Sequence, residues 1–186
     1  MRIYIVDDDN NIVRILEKII EDKDLGDVIG RANNGLKAIE DIALLNPDVV
    51  LVDLLMPGKD GINLVRDMKV KKPNIQYIMI SQVSSKEMIS KAYESGIEYY
   101  VSKPIDAIEV ETVIKKVIEK IEMNKKLEQI QSLFSVNSVN ITTNKEQSDK
   151  DDMAGVKRVM HRIGISGESG SQDIIDIARY LIENNL

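Results

Sequence analysis

The chain of 186 residues contains no cysteine and no tryptophan, one phenylalanine (Phe134) and one histidine (His161). Without cysteine there are no disulfides and no thiolate metal sites, which fits a reducing compartment. With aromatics at 4% and apolar residues at 43%, a core must be built from Ile, Val and Leu. His161 stands beside Lys157, Arg158 and Arg162 on a short predicted helix and reads as an ordinary exposed residue. Met153 and Met160 read as packing residues. No apolar run approaches the ~20 residues of a membrane span. The N-terminus lacks the charged-then-apolar pattern of a signal peptide, so the expected location is cytoplasmic, with no membrane partner. A basic surface is missing too. Net charge is −6, with −5 over residues 1–123 and −1 over residues 124–186, whereas nucleic-acid-binding domains usually carry a positive footprint.

What the chain does have is alternation. Short runs rich in β-branched residues and Tyr occur at 2–6, 27–32, 48–53, 75–80 and 97–102, each of strand length. Near-continuous hydrophobicity in DVVLV and YIMI predicts strands buried on both faces, as in a parallel sheet. Amphipathic segments separate them. Ile12, Ile15, Leu16, Ile19 and Ile20 recur at helical spacing after Asn10 or Asn11, either of which is a candidate cap. Further helices are predicted over 35–45, stopping before Pro47, and over 60–71, stopping before Pro73. A fourth is predicted over 84–94, after Ser84 or Ser85 and closing at Gly96. Strands that alternate with helices imply right-handed crossovers and a doubly wound α/β fold. Ligands in such folds bind at the carboxyl ends of the strands.

In a sheet of order 2-1-3-4-5, Asp7 and Asp8 end the first strand and Asp53 ends its neighbour, the third. Two carboxylates about 4 Å apart repel by ~4 kcal/mol at an effective dielectric of 20. The cluster therefore calls for a cation, and Mg²⁺ suits hard oxygen ligands that leave room for phosphate. The fourth strand delivers Ser81 to the same rim and the fifth delivers Lys103. Taken singly, an Asp after a strand is most often a helix cap, Ser81 a turn residue and Lys103 a solvated charge. Together they suit phosphoryl transfer to a carboxylate: Asp as nucleophile, with metal, ammonium and hydroxyl around the phosphoryl oxygens.

With VDDD at 6–9, DLLMPGKDG at 53–61, ISQ at 80–82 and YVSKP at 100–104, the chain closely resembles the receiver domain of bacterial two-component response regulators over residues 1–122. The resemblance implies a five-stranded flavodoxin-like fold and a signalling role in place of an enzymatic one. It implies that Asp53 accepts a phosphoryl group from a histidine kinase. It implies that Asp7, Asp8, Asp53 and the backbone carbonyl of Leu55 hold Mg²⁺, and that Ser81 and Lys103 bind the phosphoryl oxygens. Tyr100 would be the switch aromatic, and the Lys103–Pro104 bond would be cis. Ser81 stands where Thr is commoner and Gln82 where a small residue is usual, which leaves the lifetime of the aspartyl phosphate open. A phosphatase of the haloacid dehalogenase type also uses an Asp nucleophile and Mg²⁺. It would carry a second Asp two residues later, where this chain has Leu55.

From Ala107 to Phe134 there is neither Gly nor Pro. One apolar stripe (Val110, Ile114, Val117, Ile121) is followed, after a phase shift, by a second (Leu127, Ile130, Phe134). Residues 123–134 are expected to extend the fifth helix as a coiled coil with a second chain, or else to fold back. A homodimer is expected through that helix or through the face of helix 4, strand 5 and helix 5. Residues 135–152 read as a polar linker and 153–186 as two short helices. The segment VMHRIGISGESGSQDIIDIARYLIENN resembles the opening of the helical effector domain of YcbB-type response regulators, transcriptional regulators linked to glutamine use. On that reading the chain stops before a DNA-reading element, and DNA is a partner only of a fuller effector domain. Two other outputs are an RNA-binding antiterminator of the ANTAR type, which RVMHRIGIS loosely resembles, and a receiver acting only by protein–protein contact.

Overall fold

The computed structural model describes residues 1–138. The linker and effector segments predicted from 139 onward lie outside the described residues. Elements alternate in order: β1 (Arg2–Val6), α1 (Asn10–Asp22), β2 (Asp27–Ala32), α2 (Gly35–Leu45), β3 (Val49–Asp53), α3 (Gly61–Lys71), β4 (Gln76–Ser81), α4 (Lys86–Glu94), β5 (Tyr99–Ser102) and α5 (Ala107–Ser138). The strands form one parallel sheet of order β2-β1-β3-β4-β5.

Burial follows position in the sheet. Every residue of the central strands β3 and β4 is buried, and both are runs of apolar residues except at their ends. The edge strands β2 and β5 keep half-exposed positions. Alternate side chains feed two cores. On one face Tyr4, Val6, Val50, Val52, Tyr77 and Met79 pack with residues of α2, α3 and α4. On the other Ile3, Ile5, Leu51, Ile78 and Val101 pack with α1 and α5. The first stripe of α5, Val110, Ile114, Val117 and Ile121, is wholly buried in this second core. Each such aliphatic side chain contributes roughly 1.5–3 kcal/mol by leaving water.

Caps fix where helices begin, and so where strand ends are free. Asp9, not Asn10 or Asn11, caps α1: its Oδ1 accepts from the Asn11 N–H at 2.8 Å. A carboxylate at the positive helix terminus is the stronger acceptor, and the two asparagines become the first helical residues. Asn34, Asp60 and Asp106 cap α2, α3 and α5 in the same way. Ser85 occupies the cap position of α4 without a side-chain hydrogen bond. Gly96, at φ +102°, turns the chain after that helix.

Met1–Met123 form one compact unit. The α5 helix continues to Ser138, past residue 135, where the polar linker was expected to begin; residues 135–138 contain no Pro or Gly to stop it. Among the described residues, no helix is long and apolar enough to cross a membrane.

Candidate functional site

β1 and β3 are adjacent, with Val6 opposite Val52. The residues that follow these positions are Asp7 and Asp53, so both carboxylates leave the sheet at the same level. Asp7 and Asp53 are buried and Asp8 is exposed, and each offers an oxygen within 4.8 Å of the others. Asp7 is held on both sides: its N–H donates to the Ala32 carbonyl at the end of β2, and its Oδ1 accepts from the Asp9 N–H at 2.9 Å. The third aspartate of the opening motif thus caps a helix with its side chain and orients a neighbour with its backbone.

Lys103 reaches this cluster from beyond β5. Its Nζ lies 2.9 Å from Asp7 Oδ2 and 3.1 Å from Asp53 Oδ2. Its own N–H donates to the Ser81 carbonyl at 2.8 Å, and the Lys103–Pro104 peptide is cis. Burial pushes the Asp7 carboxyl upward, and the Asp53 charge adds to this. The hydrogen bonds from Lys103 and the Asp9 N–H, with the Lys103 charge, oppose it without cancelling it. For Lys103, burial works against the ammonium, but the Asp7 hydrogen bond and the charges of Asp53 and Asp7 outweigh that cost and hold it above the usual lysine value.

Three carboxylates and one ammonium leave a net charge of −2 in a largely buried rim. Pairs of carboxylates about 4–5 Å apart still repel by ~3–4 kcal/mol at a dielectric of 20. The deficit matches one divalent cation, and an all-oxygen donor set matches a hard one such as Mg²⁺.

Ser81 closes β4, beside β3, where Asp53 stands opposite Ile80. Its hydroxyl oxygen is buried and accepts from the Val83 N–H at 3.3 Å. The Val83 carbonyl in turn accepts from the Tyr100 hydroxyl at 2.5 Å. Tyr100 is half-buried and packs on the core beside Val83 and Met88. Ser81 and Tyr100 are therefore joined through one peptide segment, a link that no residue type announces in the sequence. Leu55 sits two residues past Asp53, with its N–H 3.4 Å from Asp53 Oδ1 and its side chain half exposed. The arrangement brings together buried carboxylates, oxygen donors that suit a divalent cation, and a fixed positive charge.

Comparison with known proteins agrees with this geometry. The family described as the response regulator receiver domain matches residues 3–115. The chain is 39% identical over 189 residues to the transcriptional regulatory protein GlnL of Bacillus subtilis (strain 168), a match that covers 99% of this chain and 60% of GlnL. It is 36% identical over 115 residues to sporulation initiation phosphotransferase F of the same organism, covering 62% of this chain and 91% of that protein. Among solved structures, the receiver domain of AraT, a response regulator from Geobacillus stearothermophilus, superposes with a TM-score of 0.62 at 29% identity, covering 67% of this chain and 97% of that one. A parallel sheet of this order, a carboxylate rim at its carboxyl edge and these matches lead to one assignment: the chain belongs to the response regulator receiver family.

Proposed function

We propose that the chain is a phosphoacceptor in two-component signalling, with Asp53 receiving a phosphoryl group from a histidine kinase. An Asp53 carboxylate oxygen forms the O–P bond while the P–N bond of a phosphohistidine breaks and its electron pair returns to the imidazole. Asp7, Asp8, Asp53 and the Leu55 carbonyl hold Mg²⁺, which supplies charge neutralisation at the phosphoryl oxygens when bound. Lys103 steadies those oxygens with its ammonium, and the Ser81 hydroxyl donates to one of them. Once Ser81 turns toward the phosphoryl group, its acceptor role toward the Val83 N–H is given up. The Val83 carbonyl then no longer fixes the Tyr100 hydroxyl, so Pro104, Tyr100 and the α4–β5–α5 face repack. The observation that carries this reading is the Lys103 ammonium between Asp7 and Asp53.

The test is intact mass after incubation with acetyl phosphate and Mg²⁺. One added phosphate is expected on the wild type, and none on Asp53→Asn or with chelator present. An adduct that survives in Asp53→Asn would sink the proposal.

The output is proposed to be transcriptional, through a C-terminal effector that residues 153–186 begin. What supports this is the similarity to GlnL along nearly the whole chain. Residues 1–122 act as the receiver, 123–134 as a helical extension that α5 carries on to Ser138, and the polar residues after it as a linker. Homodimerisation is proposed through α5, where Met123 is 64% and Leu127 50% exposed, or through the α4–β5–α5 face. Light scattering with and without beryllofluoride tests it: a mass that stays monomeric in both states rules it out.

A further inference from the structure

We infer that Gly35, at the start of α2, is a positioning residue for the metal-binding loop after β3. This inference rests on the phosphoacceptor reading above. A Cβ on Gly35 would lie 2.3 Å from the carbonyl oxygen of Lys59, 2.8 Å from its Cβ and 3.1 Å from its carbonyl carbon. Comfortable non-bonded carbon contacts fall at about 3.5–4.0 Å. The backbone of α2 thus touches the backbone of the loop, and only glycine permits it.

The loop is pinned at its other end by a second glycine. A Cβ on Gly61 would lie 2.2 Å from the Asp53 carbonyl oxygen, and the Gly61 N–H donates to the Leu54 carbonyl at 3.0 Å. Gly61 belongs to the motif around Asp53; Gly35 lies 24 residues before Lys59, outside the four motifs quoted above. Between the two contacts lie Leu55, the proposed carbonyl ligand, and Gly58, whose φ of +81° and open surroundings mark an exposed turn.

The α2 side of the Gly35 contact is held in place. The α2 helix is anchored by Ala38 and Ile42, both fully buried, and by its Asn34 cap. Lys59 is tied forward by its ion pair with Asp67, and Asp60 caps α3. A side chain at position 35 therefore pushes on the Lys59 backbone and, through it, on the loop that leads back to Leu55. The consequence falls on the metal ligands, not on the sheet.

Gly30 supplies the control. A Cβ there would meet the Tyr4 ring at 2.7 Å and Leu45 of α2 at 3.3 Å, a milder clash on the same side of the sheet, against side chains and away from the loop. The experiment is Mg²⁺ titration by calorimetry of the wild type, Gly35→Ala and Gly30→Ala, with thermal unfolding of each. Gly35→Ala is expected to bind Mg²⁺ about tenfold more weakly, the scale on which ligand-orienting groups act, while Gly30→Ala keeps wild-type affinity. Equal affinity in Gly35→Ala and the wild type, or equal weakening in both variants, overturns the inference. Absence of Mg²⁺ binding by the wild type overturns the phosphoacceptor reading itself, and the inference falls with it. Should Gly35→Ala not fold, amide shifts of the wild type decide. The Gly35 amide should move with Mg²⁺ at the same midpoint as Leu55 while Gly30 and Gly26 stay fixed; a stationary Gly35 overturns the inference.

Discussion

The two rims of the sheet are made from the same residue types and do opposite work. At the amino rim, polar groups close the fold. The Arg2 N–H donates to Asp48 Oδ2 at 2.8 Å, the Arg2 guanidinium donates to the Asn46 carbonyl, and the Asp27 N–H donates to the Met1 carbonyl at 2.7 Å. The buried polar atoms without partners among the described residues also belong to this rim, on the first residues of β4: Gln76 Oε1 and the Tyr77 hydroxyl. They are neutral, so each costs less than an unpaired buried charge. At the carboxyl rim the buried groups are charged and their sum is not zero. A rim selected for stability alone would not keep that imbalance, since unpaired buried charge is among the costliest features a fold can hold. The difference separates polar groups that finish a structure from those that wait for a ligand.

The largest expected break in this contrast is Lys103→Met. It leaves two buried carboxylates without a counter-charge and should cost about 3 kcal/mol of unfolding free energy in chelator, with much of it regained in Mg²⁺; urea titration in both conditions reads it. Next is the ion itself. At a free Mg²⁺ concentration of about 100 times its dissociation constant, the wild type should gain ~2.7 kcal/mol, and chelator should remove the gain. An equal gain in a variant with Asp7 and Asp53 both changed to Asn would place the ion elsewhere.

Third is a pair with opposite signs. Asp53→Asn, which relieves two like-charge contacts and gives up one attraction, should stabilise the metal-free protein by about 1 kcal/mol. Asp48→Ala, which removes an acceptor from the Arg2 N–H, should destabilise it by about 1 kcal/mol. Matching signs would erase the contrast between the rims.

The smallest effect concerns Tyr77. Burial pushes its phenol above the usual tyrosine value. The fold thus favours the neutral form, and the unfolded chain releases its proton from about pH 10. The stability contributed is complete below that pH and falls as pH rises above it. Tyr77→Phe should gain about 0.5–1 kcal/mol at pH 7 by removing the unpartnered hydroxyl, and it should flatten the alkaline decline, leaving the share that Tyr4 contributes. An unchanged slope between pH 9 and 11 would remove Tyr77 from the account.

Much of this was legible in the chain. Strand runs, helix spacing and strand-end carboxylates survive as patterns because burial and periodicity act on residue type. They led to a doubly wound α/β fold and, with the strand order that the resemblance to receiver domains implies, to Asp7, Asp8, Asp53, Ser81 and Lys103 on one rim. The cap of α1 was placed one or two residues late, because Asp9, Asn10 and Asn11 all have capping side chains and only the observed geometry selects among them. Harder to read were contacts made by backbone atoms. The link from Ser81 through Val83 to Tyr100 and the approach of Gly35 to Lys59 depend on register and loop path, and any side chain at Val83 or Lys59 would present the same carbonyl. Those are the contacts through which the rim is held and through which it is proposed to move.

Lys103 also sets an order in time. It stands 96 residues after Asp7, the kind of distant pairing that a chain closes late because the intervening loop must first be ordered. A nascent chain emerging from its N-terminus displays the aspartates of β1 and β3 well before their counter-charge exists. On the proposed function, the chemistry of Asp53 is thereby tied to the completion of β5: an unfinished or misfolded chain would carry the carboxylate without the ammonium beside it.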